Sequence, residues 1–305
     1  MRGSVALIEK IAPAADDRPR LPSQIASPAF LMCPPFTVSN EEPNNVYMSP
    51  NDRPYNWPLA MRQWTTLYQR LAREALVFLL PSGNDGLQDL PFVSNLAAGL
   101  PHKPDTVLVS RFTSPPRWGE KDVGARFFAE MGYSADVSPY PWEGEAELKH
   151  VRGNTYIGGV GQRSTRAAYD WMRAAHGMNI IEMHLGDPKL YHLDCSVFLL
   201  DRNTALVATS ALEPDDVAEL EKVVGIVDVP KANVYDGWTN SLRLGKTVLN
   251  SPRDAVSARA LARLLEKHDL DLEMINLSEF MKSGADLSCL VMHLNDRGRR
   301  RRPAA

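Results

Sequence analysis

Cys289 stands directly after a glycine-containing loop and at the head of an apolar run, 290–294. A thiol so placed would sit at the mouth of a strand, backed by core packing and reachable from the loop side. Far upstream, Tyr191-His192-Leu193-Asp194 sets an imidazole two positions from a carboxylate. Trp142-Glu143-Gly144-Glu145 supplies two more carboxylates. A cysteine, a histidine and carboxylates are what covalent thiol chemistry needs: a nucleophile, a proton carrier, and anions that orient the carrier or bind a cationic substrate.

Each motif also has an ordinary reading. A free cysteine is most often a buried core residue. A histidine beside an aspartate is commonly a satisfied surface or cap pair. If the backbone is extended, however, His192 and Asp194 face the same side. Glu143 and Glu145 follow the stiff Pro139-Tyr140-Pro141 and could form a solvated acidic turn, with Gly144 letting another group come close. Asp89, in the loop-to-strand transition 88–95, reads alone as a turn residue. Arg111, closing a strand, reads alone as a surface charge.

These residues need a scaffold, and the composition bounds it. The chain has 305 residues, 44% hydrophobic and 23% charged, enough for one large α/β domain or two smaller ones. A formal net charge of −3 argues against nucleic-acid binding as the main role. Three cysteines are too few for a disulfide framework and fit a reducing, cytoplasmic setting. No apolar run approaches the roughly 20 residues of a membrane span. Residues 1–27 lack an apolar leader core and read as a flexible arm. Residues 296–305, with Arg299-Arg300-Arg301-Arg302, read as a solvated, disordered tail.

Between these ends, strand-like runs fall at 29–33, 75–80, 106–111, 155–160, 197–200, 204–209, 223–229, 241–249, 272–275 and 289–294. Helical periodicity appears at 58–74, 121–131, 166–176, 213–222 and 252–268. With no linker inside 28–295, the pattern suggests one domain of several β–β–α–β units. Two familiar motifs fail. Gly159-Val160-Gly161-Gln162-Arg163-Ser164 lacks the third glycine of a dinucleotide loop. Gly245-Lys246-Thr247 has Asn240 where a phosphate loop needs its first glycine, and it reads as a strand or hairpin. The His and Cys residues show no zinc spacing, so no metal site is expected.

Taken in order, the segments resemble the guanidino-modifying enzymes of the pentein superfamily: arginine deiminases, dimethylarginine dimethylaminohydrolases, arginine dihydrolases and amidinotransferases. The resemblance runs from about 30 to 294. It is carried by Leu31-Met32-Cys33-Pro34-Pro35, Asn45-Val46-Tyr47-Met48, Ser110-Arg111-Phe112, Glu143-Gly144, His192-Leu193-Asp194, Thr239-Asn240 and the segments 86–95, 161–164 and 284–289. It implies a single-domain α/β pentein fold, a five-bladed propeller of ββαβ units, with no cofactor. It implies Cys289 as nucleophile, His192 as general acid/base and Glu143 as the carboxylate beside that histidine. It further implies Asp89 and Asp194 as clamps for a substrate guanidinium and Arg111 and Arg163 as holders of its α-carboxylate, with Arg166 a possible replacement for Arg163. Asn45 and Asn95 match amides of the dihydrolase branch.

Some positions depart from the family pattern. Cys195-Ser196 follows Asp194 where Thr-Cys is usual, and Ala285 stands where a second glycine is common. These bear on the substrate more than on the reaction class. The expected function is therefore hydrolysis of a guanidino C–N bond of arginine or an N-substituted arginine through a covalent thiouronium. Amidino transfer to an amine is the alternative within the class, and a catalytically silent binding protein the alternative outside it. The expected partner is a small guanidino compound, with no nucleic acid or membrane and a possible homo-oligomer.

Overall fold

Aliphatic runs broken by Gly, Asn, Asp and Pro fold into short strands, and the periodic segments between them into helices. The computed structural model describes residues 20–48, 54–83 and 86–299. Among these lie fifteen strands in five three-stranded sheets, with five α-helices. Each sheet is one blade of a pentein fold, and each obeys one rule.

The first blade is built from β1 (Ala29–Met32), α1 (Trp57–Ala72) and β2 (Leu76–Leu79). The second comprises β3 (Ala97–Leu100), β4 (Lys103–Val109), α2 (Glu120–Glu130) and β5 (Ser134–Val137). The third comprises β6 (Leu148–Arg152), β7 (Thr155–Val160), α3 (Arg166–His176) and β8 (Asn179–His184). In the fourth are β9 (Val197–Leu199), β10 (Thr204–Val207), α4 (Pro214–Glu221) and β11 (Gly225–Asp228). The fifth holds β12 (Leu242–Leu244), β13 (Thr247–Asn250), α5 (Ala255–Glu266) and β14 (Asp271–Met274). A last strand, β15 (Met292–His293), pairs antiparallel with β1 and completes the first blade. In every blade the inner strand is antiparallel to the middle one, and a helix crosses over to a parallel outer strand. A parallel pair requires such a crossover.

Local chemistry sets the helices. Asn56 caps α1 by accepting from Leu59 N, and Asp254 caps α5 by accepting from Val256 N and Ser257 N. Gly177, at φ 65°, ends α3 in the left-handed conformation that favours glycine. Along α1, Ala60, Trp64, Leu67 and Leu71 form one buried stripe. Burying a side chain such as Leu67 stabilises the fold by about 1.5–3 kcal/mol.

The five helices match the sequence reading, and 241–249 resolves into the hairpin β12–β13 turning at Gly245. The strands β3, β5, β6 and β8 had no counterpart in the sequence reading. The run 289–294 is a correction: Cys289 lies in a 3-10 turn, Ser288–Leu290, and the strand after it has two residues. Residues 20–27 of the expected arm are tied to the body. Asn295 Nδ2 donates to the carbonyls of Pro22 and Ser27 at 3.0 Å each, and Ser23 N donates to Tyr133 Oη at 3.0 Å. At the other end Gly245 N donates to Gly298 O at 2.9 Å. Residues 1–19 and 300–305 of the expected arm and tail lie outside the described residues. No helix among the described residues is long and apolar enough to cross a membrane.

Candidate active site

The blade rule explains why residues far apart in sequence meet. Each inner strand is preceded by a short turn, and several of the candidate residues sit on or beside those turns. Cys289 lies in the turn before β15, and Asn95 closes the turn Val93–Asn95 before β3. Glu143 caps the turn Gly144–Glu147 before β6, and His192 leads into Leu193–Cys195 before β9. Asn240 lies just ahead of β12. Three of these turns, through Asn95, His192 and Cys289, contribute to one narrow pocket of about 10 Å³, lined also by Asp89, Arg117 and Arg163 among others. That is roughly the room of a single water, so a larger ligand enters only as side chains shift.

His192 Nε2 lies 2.9 Å from Glu143 Oε2, both side chains being almost completely buried. Gly144 makes the surrounding packing possible. Its φ is +62°, and a Cβ there would lie 2.5 Å from Ser94 O and 2.6 Å from Asn95 C. The close approach that the glycine permits is thus the main chain of the neighbouring turn. Asn95 Nδ2 stands 3.4 Å from His192 Nδ1 and 3.5 Å from Nε2, favouring neither nitrogen.

Two guanidinium groups hold Glu143 as an anion. Arg163 Nη1 is 3.3 Å from Oε1, and Arg117 Nη1 is 3.8 Å from Oε2. Burial alone would raise the Glu143 pKa. The Arg163 charge, the His192 hydrogen bond and charge, and Arg117 outweigh it and hold the carboxyl down at about 2. Asp89 goes the other way: burial raises it, against the opposing pull of Arg117 and of hydrogen bonds from Gln88 and Asn44. Asn44 Nδ2 donates to Asp89 Oδ2 at 2.6 Å. Burial, and then the Asp194 charge, push the Cys289 thiol up to about 12, although the Asp286 N–H and the Asn240 amide favour its thiolate. Asp286 N and Asn240 Nδ2 lie 3.5 and 3.6 Å from the sulfur.

The expected residues divide into three groups. Cys289, His192, Asp89, Arg163, Asn45 and Asn95 line the pocket, with Glu143 directly behind His192. Asp194 does not line it. The backbone is extended at His192 but turns into a 3-10 helix from Leu193, so the two side chains part. Asp194 Oδ2 accepts from Ser288 Oγ at 2.6 Å, beside the sulfur-bearing residue. Arg111 is a correction: it bridges to Trp142, is exposed, and donates Nε to Ser138 O at 2.8 Å, outside the pocket walls. Arg166 is likewise exposed and pairs with Glu182.

Sequence reasoning missed Arg117, which is buried, grips Glu120 with Nε and Nη2 at 2.8 Å each, and faces Glu143. The i,i+3 spacing of Arg117 and Glu120 across the start of α2 was the available signal. It also missed Asn44, Ser288 and Glu147; Asn240 had served as a landmark without a role. Glu147 accepts from Leu193 N at 3.1 Å, and burial raises its pKa well above the usual range.

No protein-family model matches the chain. A dimethylarginine dimethylaminohydrolase of Mycobacterium tuberculosis is 25% identical over 267 residues, covering 87% of this chain and 85% of the relative. The bifunctional arginine dihydrolase/ornithine cyclodeaminase AgrE of Nostoc is 26% identical over 282 residues, 88% of this chain and 38% of that one. Among solved structures, the N-terminal domain of the cyanobacterial arginine dihydrolase ArgZ superposes with a TM-score of 0.81 at 22% identity, covering 88% of this chain and 97% of that domain. The chain has the pentein fold and is similar to a dimethylarginine dimethylaminohydrolase and to arginine dihydrolases. Within this fold the blades are the scaffold, and the turns ahead of the inner strands carry Cys289, His192, Glu143 and Asn95.

Proposed function

We propose that this pentein hydrolyses a C–N bond of the guanidino group of arginine or an N-methylated arginine, with Cys289 as nucleophile. One observation carries the reading. The His192–Glu143 pair opens into the same buried pocket as the Cys289 sulfur and the Asp89 carboxylate. A guanidinium is planar and cationic, and its carbon is a poor electrophile. A carboxylate at Asp89 binds its N–H groups and fixes the plane. Fixing the carbon against the sulfur replaces an encounter by a near-attack arrangement.

The resting thiol is neutral, since burial holds its pKa near 12. The bound guanidinium supplies the charge that favours the thiolate, and the thiol proton passes to His192. Attack forms a C–S bond and a tetrahedral adduct. With Nε2 engaged by Glu143, Nδ1 is the nitrogen of His192 left to exchange protons. Protonated His192 delivers a proton to the departing amine, whose C–N bond breaks as the thiouronium forms. Water then loses a proton to His192 and adds to the same carbon. The C–S bond breaks and a ureido product leaves. Glu143, kept anionic by Arg163 and Arg117, stabilises the imidazolium throughout.

Asn95 favours the dihydrolase form of this chemistry, in which the ureido product is attacked again to give ornithine. Its amide reaches both nitrogens of His192, so it can steady a second hydrolytic step. AgrE and ArgZ are named for that reaction.

The test incubates the purified protein with arginine, dimethylarginine and agmatine and resolves citrulline, ornithine, dimethylamine and ammonia by mass spectrometry. Wild type turns over arginine or its methylated form, Cys289→Ser is inactive, and His192→Ala loses about a hundred- to ten-thousand-fold in kcat. Full activity in Cys289→Ser rules the nucleophile out. Amidine appearing on an added amine, without release of a ureido product or ammonia, replaces hydrolysis by transfer.

A further inference from the structure

The turn ahead of β6 carries a buried carboxyl that the steps above do not use. Glu143 caps that turn and Glu147 ends it. Glu147 is fully buried and reaches across to the turn of the fourth blade, where its Oε2 accepts from Leu193 N at 3.1 Å. That N–H belongs to the peptide that follows His192. The carbonyl of the same peptide accepts from Cys195 N at 3.1 Å, and His192 itself is extended, at φ −121° and ψ 155°. The peptide plane on the C-terminal side of the histidine is therefore held at both of its polar ends.

Strand β7 makes room for this contact. A Cβ on Gly159 would overlap Glu147 Oε2 and come within 3.0 Å of Leu193 Cβ, so only glycine lets the carboxyl reach the neighbouring turn. A Cβ on Gly158 would lie 2.8 Å from the Tyr169 ring, whose Oη sits 3.0 Å from Glu147 O and 2.7 Å from Gly159 O. Tyr169 of α3 thus ties the end of the turn to β7. Gly159, part of a run that fails as a dinucleotide loop, serves here to admit one side chain.

The two carboxyls of this turn differ in charge. Glu143 is kept anionic with the help of Arg163 and Arg117. For Glu147, burial and then the Glu143 charge raise the pKa well above the usual range, with the Asp194 charge adding to them and the Leu193 N–H opposing. Glu147 therefore meets Leu193 N as a neutral acceptor, and it adds no second negative charge behind the imidazole.

We propose that Glu147 is a positioning residue for His192: it fixes the main chain that carries the imidazole, while Glu143, four residues earlier, fixes the ring. The aim of Nδ1 at a departing amine then follows from one anchored turn rather than from two independent contacts. The consequence for turnover rests on the hydrolase reading above. The clamp itself does not, and the two are measured apart.

Glu147→Gln keeps an acceptor of the same reach, and Glu147→Met keeps the volume and removes the acceptor. In the full chain without substrate, exchange of the Leu193 amide proton, followed by NMR, is slow in wild type and in Glu147→Gln. The downfield proton signal of His192 Nε2–H against Glu143, assigned by its absence in His192→Ala, is shared by these two proteins and lost or moved in Glu147→Met. With arginine or dimethylarginine, Glu147→Met loses about ten- to a hundredfold in kcat. Its KM stays within about threefold of wild type, as do both constants of Glu147→Gln. Leu193 exchange at the rate of a solvent-exposed amide in wild type overturns the clamp, whether or not Glu147→Met folds. An unchanged Nε2–H signal or unchanged kcat in a folded Glu147→Met, or a loss in Glu147→Gln equal to that in Glu147→Met, overturns the positioning role. Should wild type turn over no guanidine, the hydrolase reading falls, and the two substrate-free NMR readouts still decide for or against Glu147.

Discussion

His192 and Glu143 are 49 positions apart, yet His192 Nε2 and Glu143 Oε2 meet at 2.9 Å in a fully buried setting. The contact depends on Arg163 and Arg117, whose guanidinium groups surround the same carboxylate. A buried carboxylate with this company is a support for charge rather than a surface ion pair.

Glu143→Gln keeps the shape and removes the charge. Arg163 and Arg117 then lose their anion inside the protein, and breaking a buried pair from one side costs about 3–5 kcal/mol. The urea midpoint falls accordingly, and kcat falls because the imidazolium loses its counter-charge. A variant as stable as wild type would show that the two arginines find other partners.

Asp194 raises the Cys289 thiol by its charge, second only to burial. Asp194→Asn removes that charge and can still accept from Ser288 Oγ. The thiol pKa, read from the pH dependence of iodoacetamide alkylation, drops below the wild-type value of about 12. An unchanged profile removes Asp194 from the electrostatics of the sulfur.

Gly144→Ala places a methyl 2.5 Å from Ser94 O at a φ of +62°. Strain at such a position costs about 1–3 kcal/mol. Backbone must yield because no flexible side chain is in the way, so Asn95 moves off His192. Both the thermal midpoint and kcat fall; a variant matching wild type in both would remove the close-approach argument.

Asp286 supplies a pH dependence of definite sign. Burial raises its pKa from 3.8 to about 7, against the opposing pull of Arg253. A raised folded-state pKa contributes stability that is fully present below about 3.8 and is lost as pH rises through about 7. Asp286→Asn preserves acceptance from Leu287 N at Oδ1 and flattens the chemical-denaturation stability between these two values. Glu143, lowered to about 2 from 4.5, acts in a separate acid window, where stability is lost as pH falls.

The sequence by itself determined the five helices, because 3.6-residue periodicity is written in neighbouring residues. It determined the long aliphatic strands for the same reason; β7, Thr155–Val160, matches its strand-like run residue for residue. Among the strands it missed, β5 (SADV) and β6 (LKHVR) are mixed in polarity and owe their conformation to ladder partners. Ordered motifs named the candidate groups. Tertiary structure decided which of them share a pocket. Arg111 and Arg117 lie six positions apart in one connecting segment, and no local pattern tells that the first reaches solvent while the second is buried against Glu143. Asp194 likewise lies two positions from His192, but a single 3-10 turn sends it to Ser288 instead. Periodicity is a property of adjacent residues, whereas convergence is a property of five turns brought to one end of the inner strands by packing between blades.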